Sequence, residues 1–110
     1  MASLDQLGAS GPSGFGCARM PVDVSMGHGC WPPTNPIMGS ISTFTDQFAQ
    51  VRVTDMWAPH CCPGPPGCHP VVSAVGSVTT FADQLPKMRM FDGLSCGDSV
   101  AITSLTTFAG

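Results

Sequence analysis

Apolar and polar side chains alternate along two stretches of the chain that flank a short polar segment. Residues 41–44 and 51–54 each divide into two sets of every second position, a period that is typical of a β-strand. The segment between them, Thr45 to Phe48, has the composition of a turn. The pattern therefore predicts a β-hairpin.

This hairpin unit is repeated. Residues 39–55 align with residues 76–92, an offset of 37, and eight of the 17 aligned positions are identical. A third, partial copy closes the sequence, where residues 104–109 match residues 77–82, and residues 19–23 match the end of the unit. Because an isolated hairpin cannot bury its apolar face, we expect three hairpins to fold against one another as a pseudo-three-fold body.

The repeated positions also predict an interior and a set of ion pairs. Apolar side chains that recur in every copy are expected to fill the core: Ile41, Phe44, Val78, Phe81, Leu105 and Phe108. Arg52 with Asp55 and Arg89 with Asp92 are predicted to form structural ion pairs or turn hydrogen bonds, since the aspartates recur at repeat positions.

The composition favours strands and turns over helices. The chain of 110 residues, enough for one small domain, has 13 glycines, 11 prolines, one lysine and no glutamate. Helix surfaces are usually built from Glu, Lys and Arg. We therefore exclude a helical bundle and predict an all-β fold.

Charge is sparse, which narrows the classes of partner. The formal net charge of -3 leaves no cationic surface for nucleic-acid phosphates, so we predict no nucleic-acid partner. Only 10% of the residues are charged, and we expect a partner to cover part of the surface. No apolar run approaches the roughly 20 residues that span a bilayer, and the N-terminus lacks a secretory signal pattern. We therefore expect synthesis in the cytoplasm.

Candidate metal ligands follow the repeat. His28 and His60 each lie five residues after the aspartate that ends a unit, and Cys96 lies four residues after the third such aspartate. His69 lies in the Gly/Pro-rich loop 61–70. If the hairpins converge at one end, His28, His60, His69 and Cys96 form a four-coordinate site, which suits structural zinc. The same four side chains could also bind iron.

The other cysteines leave alternatives open. Cys61, Cys62 and Cys68 could bind a metal with His60 or His69, although two adjacent cysteines chelate one tetrahedral ion poorly. In a chain made inside a cell, thiols or ligands are expected rather than disulfides. Cys17, Cys30 and the loop cysteines could also be small buried residues. After release, Cys61 or Cys62 could form a disulfide with Cys68 or Cys30.

No catalytic motif is present in the sequence. It contains neither a Gly-x-Ser-x-Gly nucleophile elbow nor a His-Glu-x-x-His metalloprotease run. We therefore predict that the protein is not an enzyme.

Taken together, the motifs resemble those of the PAAR-repeat proteins. The resemblance covers residues 16–110 and rests on Gly-Ser-x-x-Thr-Phe, a turn, Arg-x-x-Asp, a His/Cys loop and the final Ser95-Cys96-Gly97. The motif that names the family, Pro-Ala-Ala-Arg, is matched in part by Pro86-Lys87-Met88-Arg89. Asp-Gln replaces the usual Asn-Gly of the hairpin turn. Proteins of this family cap the central spike of type VI secretion systems and tailed phages.

The resemblance implies a fold, a partner and a function. It implies a small conical domain whose zinc ion lies near the tip, held by three histidines and one cysteine, here His28, His60, His69 and Cys96. The base would sit on a trimeric β-helical spike protein, one copy per trimer, and the tip would pierce the target cell membrane. The protein would be assembled into a virion tail or secretion apparatus and delivered outside the cell.

The resemblance leaves two regions and several rival functions to be placed. Residues 1–15 are predicted to be an N-terminal extension with linker composition. The base is expected at residues 45–48 and 82–85 with Ala109-Gly110. The competing functions are a stand-alone zinc-stabilised β interaction module, a disulfide-knotted secreted β-protein and an enzyme.

Overall fold

Short extended segments separated by turns are what the composition favours, and the computed structural model has this form. It describes residues 10–11, 14–65 and 67–110. Within these residues the chain forms ten strands and no helix, which confirms the all-β class. The strands are β1 (Ser10–Gly11), β2 (Gly14–Gly16), β3 (Arg19–Met20), β4 (Phe44–Thr45), β5 (Phe48–Gln50), β6 (Met56–Cys61), β7 (Cys68–Val72), β8 (Phe81–Ala82), β9 (Leu85–Pro86) and β10 (Phe108–Ala109). Because the described residues form no helix, none of them forms a helix that could cross a membrane.

The strands pair antiparallel in small sheets. Over the described residues, the strand orders are β1-β2-β10, β3-β5-β4, β6-β7 and β8-β9. Three of the pairs share one register, which sets the following residues opposite each other: Phe44 and Ala49, Phe81 and Pro86, Phe108 and Gly16. In the third pair, β10 near the end of the sequence meets β2 near its beginning, so the partial repeat is completed from both ends of the chain.

Strands begin earlier in the chain than the sequence indicated. Part of the predicted extension, residues 1–9 and 12–13, lies outside the described residues. Ser10, Gly11, Gly14 and Phe15 belong to the same predicted extension, yet they lie in β1 and β2. Phe15 pairs with Ala109 as the first residue of β5 pairs with the last residue of β4. The missed signal is the run Phe-Gly-Cys-Ala-Arg at residues 15–19, which aligns with residues 48–52.

The turns of the two repeat hairpins, β4–β5 and β8–β9, contain no glycine. Asp46 and Gln47 connect β4 to β5 with φ angles of 53° and 72°, and Asp83 and Gln84 connect β8 to β9 with 53° and 69°. Positive φ at both central residues is the geometry of a type I′ turn, which matches the right-handed twist of the flanking strands. The predicted turns are therefore present, and Asp-Gln adopts the conformation usually given to Asn-Gly.

Each repeat begins with a serine that shapes the chain after it. The hydroxyl oxygens of Ser40, Ser77 and Ser104 each accept hydrogen bonds from the backbone N–H groups two and three residues later, at 2.8 to 3.1 Å. These bonds bend the backbone into a tight turn. We call the segments 40–46, 77–83 and 104–110 the turn ring.

The expected apolar interior is wrong, because the residue after each serine lies on the outside of its turn. Ile41, Val78 and Leu105 are 94%, 85% and 77% exposed, and we call them the apolar trio. Phe44 and Phe81 are 59% and 51% exposed, and Phe108 is partly exposed. The predicted core residues therefore form surface instead.

The actual core is centred on the residues that directly precede the three repeated arginines. The N–H of Ala18 donates to Met88 O, that of Met88 to Val51 O and that of Val51 to Ala18 O, at 2.9, 2.9 and 3.0 Å. These bonds form a closed triangle. The fully buried Trp57 and Val71 from β6 and β7 extend the apolar cluster, together with Leu94 and Val100.

The polar side chain of Gln50 lies beside this triangle. The amide nitrogen of Gln50 is 3.1 Å from Ala18 O and 2.8 Å from Val51 O, and it also approaches Met88 O at 3.4 Å. Its amide oxygen accepts from the Thr45 hydroxyl. Burying this amide is tolerable because both of its polar atoms have partners.

The arginine that follows each triangle residue binds an aspartate in the same way. In Arg52 the backbone N–H, Nε and Nη2 all donate to the carboxylate of buried Asp55, at 2.8 to 2.9 Å. Arg19 binds Asp23 and Arg89 binds Asp92 through the same three atoms. The predicted ion pairs are thereby confirmed.

Each arginine also reaches the turn ring. The Nη1 atoms of Arg19 and Arg52 donate to Asp46 and Asp83, and that of Arg89 donates to Gly110 O. These acceptors in turn bind a neighbouring segment: Asp46 binds Thr106, Asp83 binds Ser40 and Ser42, and Gly110 O binds Ser77. The three segments are thus joined to one another in a closed cycle.

Candidate metal centre

Two of the four predicted ligands come from one hairpin. Strands β6 and β7 pair so that His60 lies opposite His69 and Cys61 lies opposite Cys68. The hairpin is anchored in the core by Trp57, whose Nε1 donates to the Ser73 hydroxyl at 2.9 Å. Because successive side chains of a strand point to opposite faces, the two imidazoles share one face and the two cysteines the other.

The third imidazole is presented by a tight turn. The backbone groups of His28 and Trp31 bond reciprocally, with N–H to O distances of 3.0 and 2.8 Å. Gly27 and Gly29 on either side of His28 have φ angles of 81° and 55°, a region that glycine adopts without steric cost. The Gly-His-Gly sequence therefore allows the chain to reverse and carry His28 against the hairpin.

The thiol comes from the loop after Asp92. The N–H of Ser95 donates to Val72 O at the end of β7, at 2.8 Å, and the N–H of Gly97 donates to Leu94 O at 3.0 Å. Leu94 is buried in the core. These contacts place Cys96 beside the hairpin.

The structure brings all four predicted residues together. One ligand atom from each of His28, His60, His69 and Cys96 can be chosen so that all lie within 4.8 Å of one another, and we call this set the ligand cluster. His60 Nε2 is central: it lies 3.3 Å from His28 Nε2, 2.6 Å from His69 Nε2 and 3.7 Å from Cys96 Sγ. The cluster can bind a metal ion.

The separations fit a tetrahedral ion at two of these three contacts. Bonds of about 2.0 to 2.3 Å place neighbouring ligand atoms of a tetrahedral zinc site roughly 3.3 to 3.8 Å apart. The distances from His60 to His28 and to Cys96 agree with this range, whereas the contact between His60 and His69 is shorter. Binding of an ion would therefore require the Nε2 atoms of His60 and His69 to move slightly farther apart.

The protonation pattern suits metal binding. His60 Nδ1 lies 2.8 Å from the carbonyl oxygen of Pro32, which can only accept, so Nδ1 carries the proton and Nε2 is left with a lone pair. Burial and the adjacent imidazoles of His60 and His28 lower the pKa of His69. His69 therefore stays neutral near pH 7, the form that coordinates a metal.

An aromatic wall that sequence reasoning missed covers the cluster. The Trp31 ring lies 4.9 Å from the His28 ring and 4.6 Å from the His69 ring, measured between centroids. Its Nε1 donates to Gly67 O at 3.1 Å. The signal available in the sequence was that Trp31 lies three residues after the candidate ligand His28.

The remaining cysteines do not form the rival ligand set. Cys30 is bonded to Cys62 and Cys61 to Cys68, so the expectation of free thiols is wrong for these four residues, and the disulfide alternative describes them. Cys17 is a buried thiol, and burial raises its pKa. Cys96 is thus the cysteine in the described chain that can offer a thiolate beside the histidines.

Comparison with models of known protein families and with curated proteins finds no match to this chain.

Proposed function

We propose that the protein caps and sharpens the trimeric central spike of a contractile injection machine, a phage tail or a type VI secretion system, and pierces the target membrane. The observation that carries this proposal is the joining of three repeated turns in one closed cycle, each with an outward apolar side chain. A trimeric spike presents the same surface three times around its axis, so three equivalent contacts on a single chain complement it.

Structural features that recur once in each repeat unit support this proposal. The triangle of Ala18, Val51 and Met88, the three arginine–aspartate pairs and the shared strand register all recur once per unit. Along each unit the chain runs from the turn ring through this triangle to a loop of the ligand cluster. We propose that this direction is the axis of a cone, with the turn ring at its base and the ligand cluster near its tip.

The proposed base uses the apolar trio. Ile41, Val78 and Leu105 are large aliphatic side chains exposed on adjoining segments, and burying such surface against a partner is the main source of association free energy. This places the base at residues 40–44 and their equivalents. The expected base segments 45–48 and 82–85 directly follow these positions; Thr45 and Ala82 are buried, and Asp46, Gln47, Phe48, Asp83 and Gln84 are exposed.

The proposed metal is structural zinc. Three imidazoles and one thiolate are a usual zinc donor set, and four protein ligands leave no position for substrate or water. The ion would join three segments that follow Asp23, Asp55 and Asp92: two loops with little regular structure and the β6–β7 hairpin. A tip that is driven through a membrane needs rigidity there, so the role proposed is mechanical and not catalytic.

Native mass spectrometry with the trimeric β-helical spike protein of the same genome tests the proposal. We expect one copy of the protein per spike trimer and one zinc ion per copy. Val78→Asp should weaken the complex at least about tenfold, since a charge would be buried without a partner. Ile37→Asp, at a half-exposed isoleucine outside the turn ring, is the matched control and should bind normally.

Two outcomes would contradict the proposal. Three copies per trimer would mean that the chain does not span the spike axis. A zinc-loaded monomer that does not bind any spike protein would favour the stand-alone zinc-stabilised β module instead.

A further inference from the structure

Two of the ligand histidines are each followed, two residues later, by a cysteine, and these two cysteines are bonded to each other. His28 precedes Cys30, His60 precedes Cys62, and the Cys30–Cys62 disulfide spans a sequence separation of 32 with a Cα–Cα distance of 5.3 Å. The bond therefore connects the turn that carries His28 to the hairpin that carries His60 and His69.

The turn of His28 projects beyond its last backbone anchor. Ser25 and Thr34 pair with each other through a backbone bond and a side-chain bond, the N–H of Met26 donates to Ser99 O, and residues 27–33 extend beyond these contacts as a loop. The tip of the loop reaches the hairpin through two hydrogen bonds, from Trp31 Nε1 to Gly67 O and between Pro32 O and His60 Nδ1. The Cys30–Cys62 disulfide is the covalent bond between these two parts.

The second disulfide has a different position. Cys61 and Cys68 lie opposite each other within one hairpin, where strand pairing already sets His60 opposite His69. Their side chains lie on the face away from the imidazoles. Removing this bond should leave the three histidines in place, which makes it an internal control.

We propose that oxidation of Cys30 and Cys62 locks the metal ion into the ligand cluster, and that the reduced protein exchanges the ion readily. This inference rests on the proposed zinc centre. Neither cysteine belongs to the ligand cluster, so the bond can form with the ion in place. A tip that acquires zinc in a reducing cell interior would be locked once it meets an oxidising exterior.

The locking step is an ordinary thiol–disulfide exchange. Two S–H bonds of the protein break and one S–S bond forms, releasing two protons and two electrons to a small-molecule disulfide, which is itself reduced to two thiols. Cys30 is exposed and Cys62 is buried. A mixed disulfide would therefore form first on Cys30 and be resolved by Cys62.

Zinc release to an excess of a coloured chelator tests the proposal. The full chain is loaded with zinc, equilibrated in oxidised or reduced glutathione, and its disulfides are assigned by alkylation and mass spectrometry. We expect release from the oxidised protein to be at least about tenfold slower than from the reduced protein, the usual size of effects from groups that orient ligands. Near-UV circular dichroism of each sample verifies that release is not caused by unfolding.

Variants assign the effect to one bond. Cys30→Ser with Cys62→Ser should release zinc as fast as reduced wild type in every buffer. Cys61→Ser with Cys68→Ser should stay within about threefold of the oxidised wild type. If the first variant does not fold, wild type reduced only at Cys61–Cys68 and wild type reduced at both bonds provide the same comparison.

The results separate this inference from the function it rests on. Equal release rates with one bound ion, or six alkylated thiols after oxidation, would overturn the lock alone. A protein that binds no zinc in either redox state would overturn the proposed zinc centre together with the lock. Loss of spike binding with normal zinc retention would overturn the proposed tip function and leave the lock standing.

Discussion

The turn ring and the ligand cluster are made from the same three repeat units in opposite ways. At the turn ring every unit has the same parts: a serine that shapes its own turn and, after the turn, an arginine that binds a buried aspartate. In the ligand cluster the units contribute different parts, which are one imidazole, then two imidazoles, then one thiol. Repetition thus produces equivalent surface positions, whereas divergence of the loops produces one site that no single unit could form.

The largest expected effect is at the ligand cluster, where one change should remove a contribution shared by all three units. His60→Ala deletes the central ligand atom and should lower the free energy of unfolding by roughly 5 kcal/mol or more, since structural zinc contributes on the order of 10 kcal/mol in small domains. Calorimetry and metal analysis measure this. Chelator-stripped wild type is the reference and should melt at the same temperature. Retention of one zinc ion by the variant would contradict the site.

A smaller effect is expected at the arginine–aspartate pairs, where equivalent positions should respond equally. Asp55→Asn leaves Arg52 with a weakened partner in a mostly buried pair and should cost about 3 kcal/mol. Asp23→Asn and Asp92→Asn should cost the same within about 1 kcal/mol. Asp46→Asn, at the exposed outer contact, is the control and should cost less than about 1 kcal/mol. Urea unfolding measures all four, and unequal costs at the buried aspartates would show that the units are not equivalent.

The turn ring also predicts a response to acid. Hydrogen bonds from Ser104 and Thr106, with the nearby Arg19 charge, lower the pKa of Asp46; Ser40, Ser42 and Arg52 lower that of Asp83. A lowered pKa in the folded state adds stability that is complete above the unfolded value near pH 4 and is lost as the pH falls through the folded pKa.

Comparison of wild type with Asp46→Asn/Asp83→Asn isolates this contribution, because the ligand cluster is the same in both. The double variant should lose less stability than wild type between about pH 4 and pH 2. Carboxyl carbon NMR shifts report each pKa directly. Parallel stability curves, or ordinary pKa values for both aspartates, would contradict the hydrogen-bonded cycle.

The smallest expected effect is a gain at the hairpin turns. Gln84 has a φ of 69°, a conformation that costs a residue with a Cβ about 1 kcal/mol relative to glycine. Gln84→Gly should therefore raise the free energy of unfolding by up to about 1 kcal/mol, and Gln47→Gly should do the same. Gln84→Ala keeps the Cβ and serves as the control. A gain at only one of the two turns would break their equivalence.

The parts of the molecule that the sequence predicted are those fixed by spacing within the repeat. The arginine–aspartate pairs and the proximity of His28, His60 and Cys96 follow from the distance of each residue to the end of its unit. His69 was predicted only from its place in the Gly/Pro-rich loop, and the pairing of β6 with β7 is what brings it opposite His60. Local hairpin geometry was therefore readable, because turn composition and alternation act over a few residues.

The predicted core was wrong because the direction in which a side chain points is not fixed by its position in the sequence. Ile41 was expected inside because the alternation included it, but the hydroxyl of Ser40 bends the chain and turns Ile41 outward. The disulfides were only an alternative to free thiols, because residue types do not reveal whether a thiol meets an oxidant. The recurring His-x-Cys at residues 28–30 and 60–62 was the signal available.

The amide of Gln50 shows why three units in one chain achieve what three separate copies could not. Its nitrogen binds carbonyl oxygens of the backbone triangle, and the equivalent positions are the smaller Cys17 and the partly exposed Lys87. A homotrimer would be forced to place three identical glutamines there. Covalent fusion lets a repeated framework carry a different side chain at each equivalent position, with one amide at the triangle and a ligand cluster assembled from unlike segments.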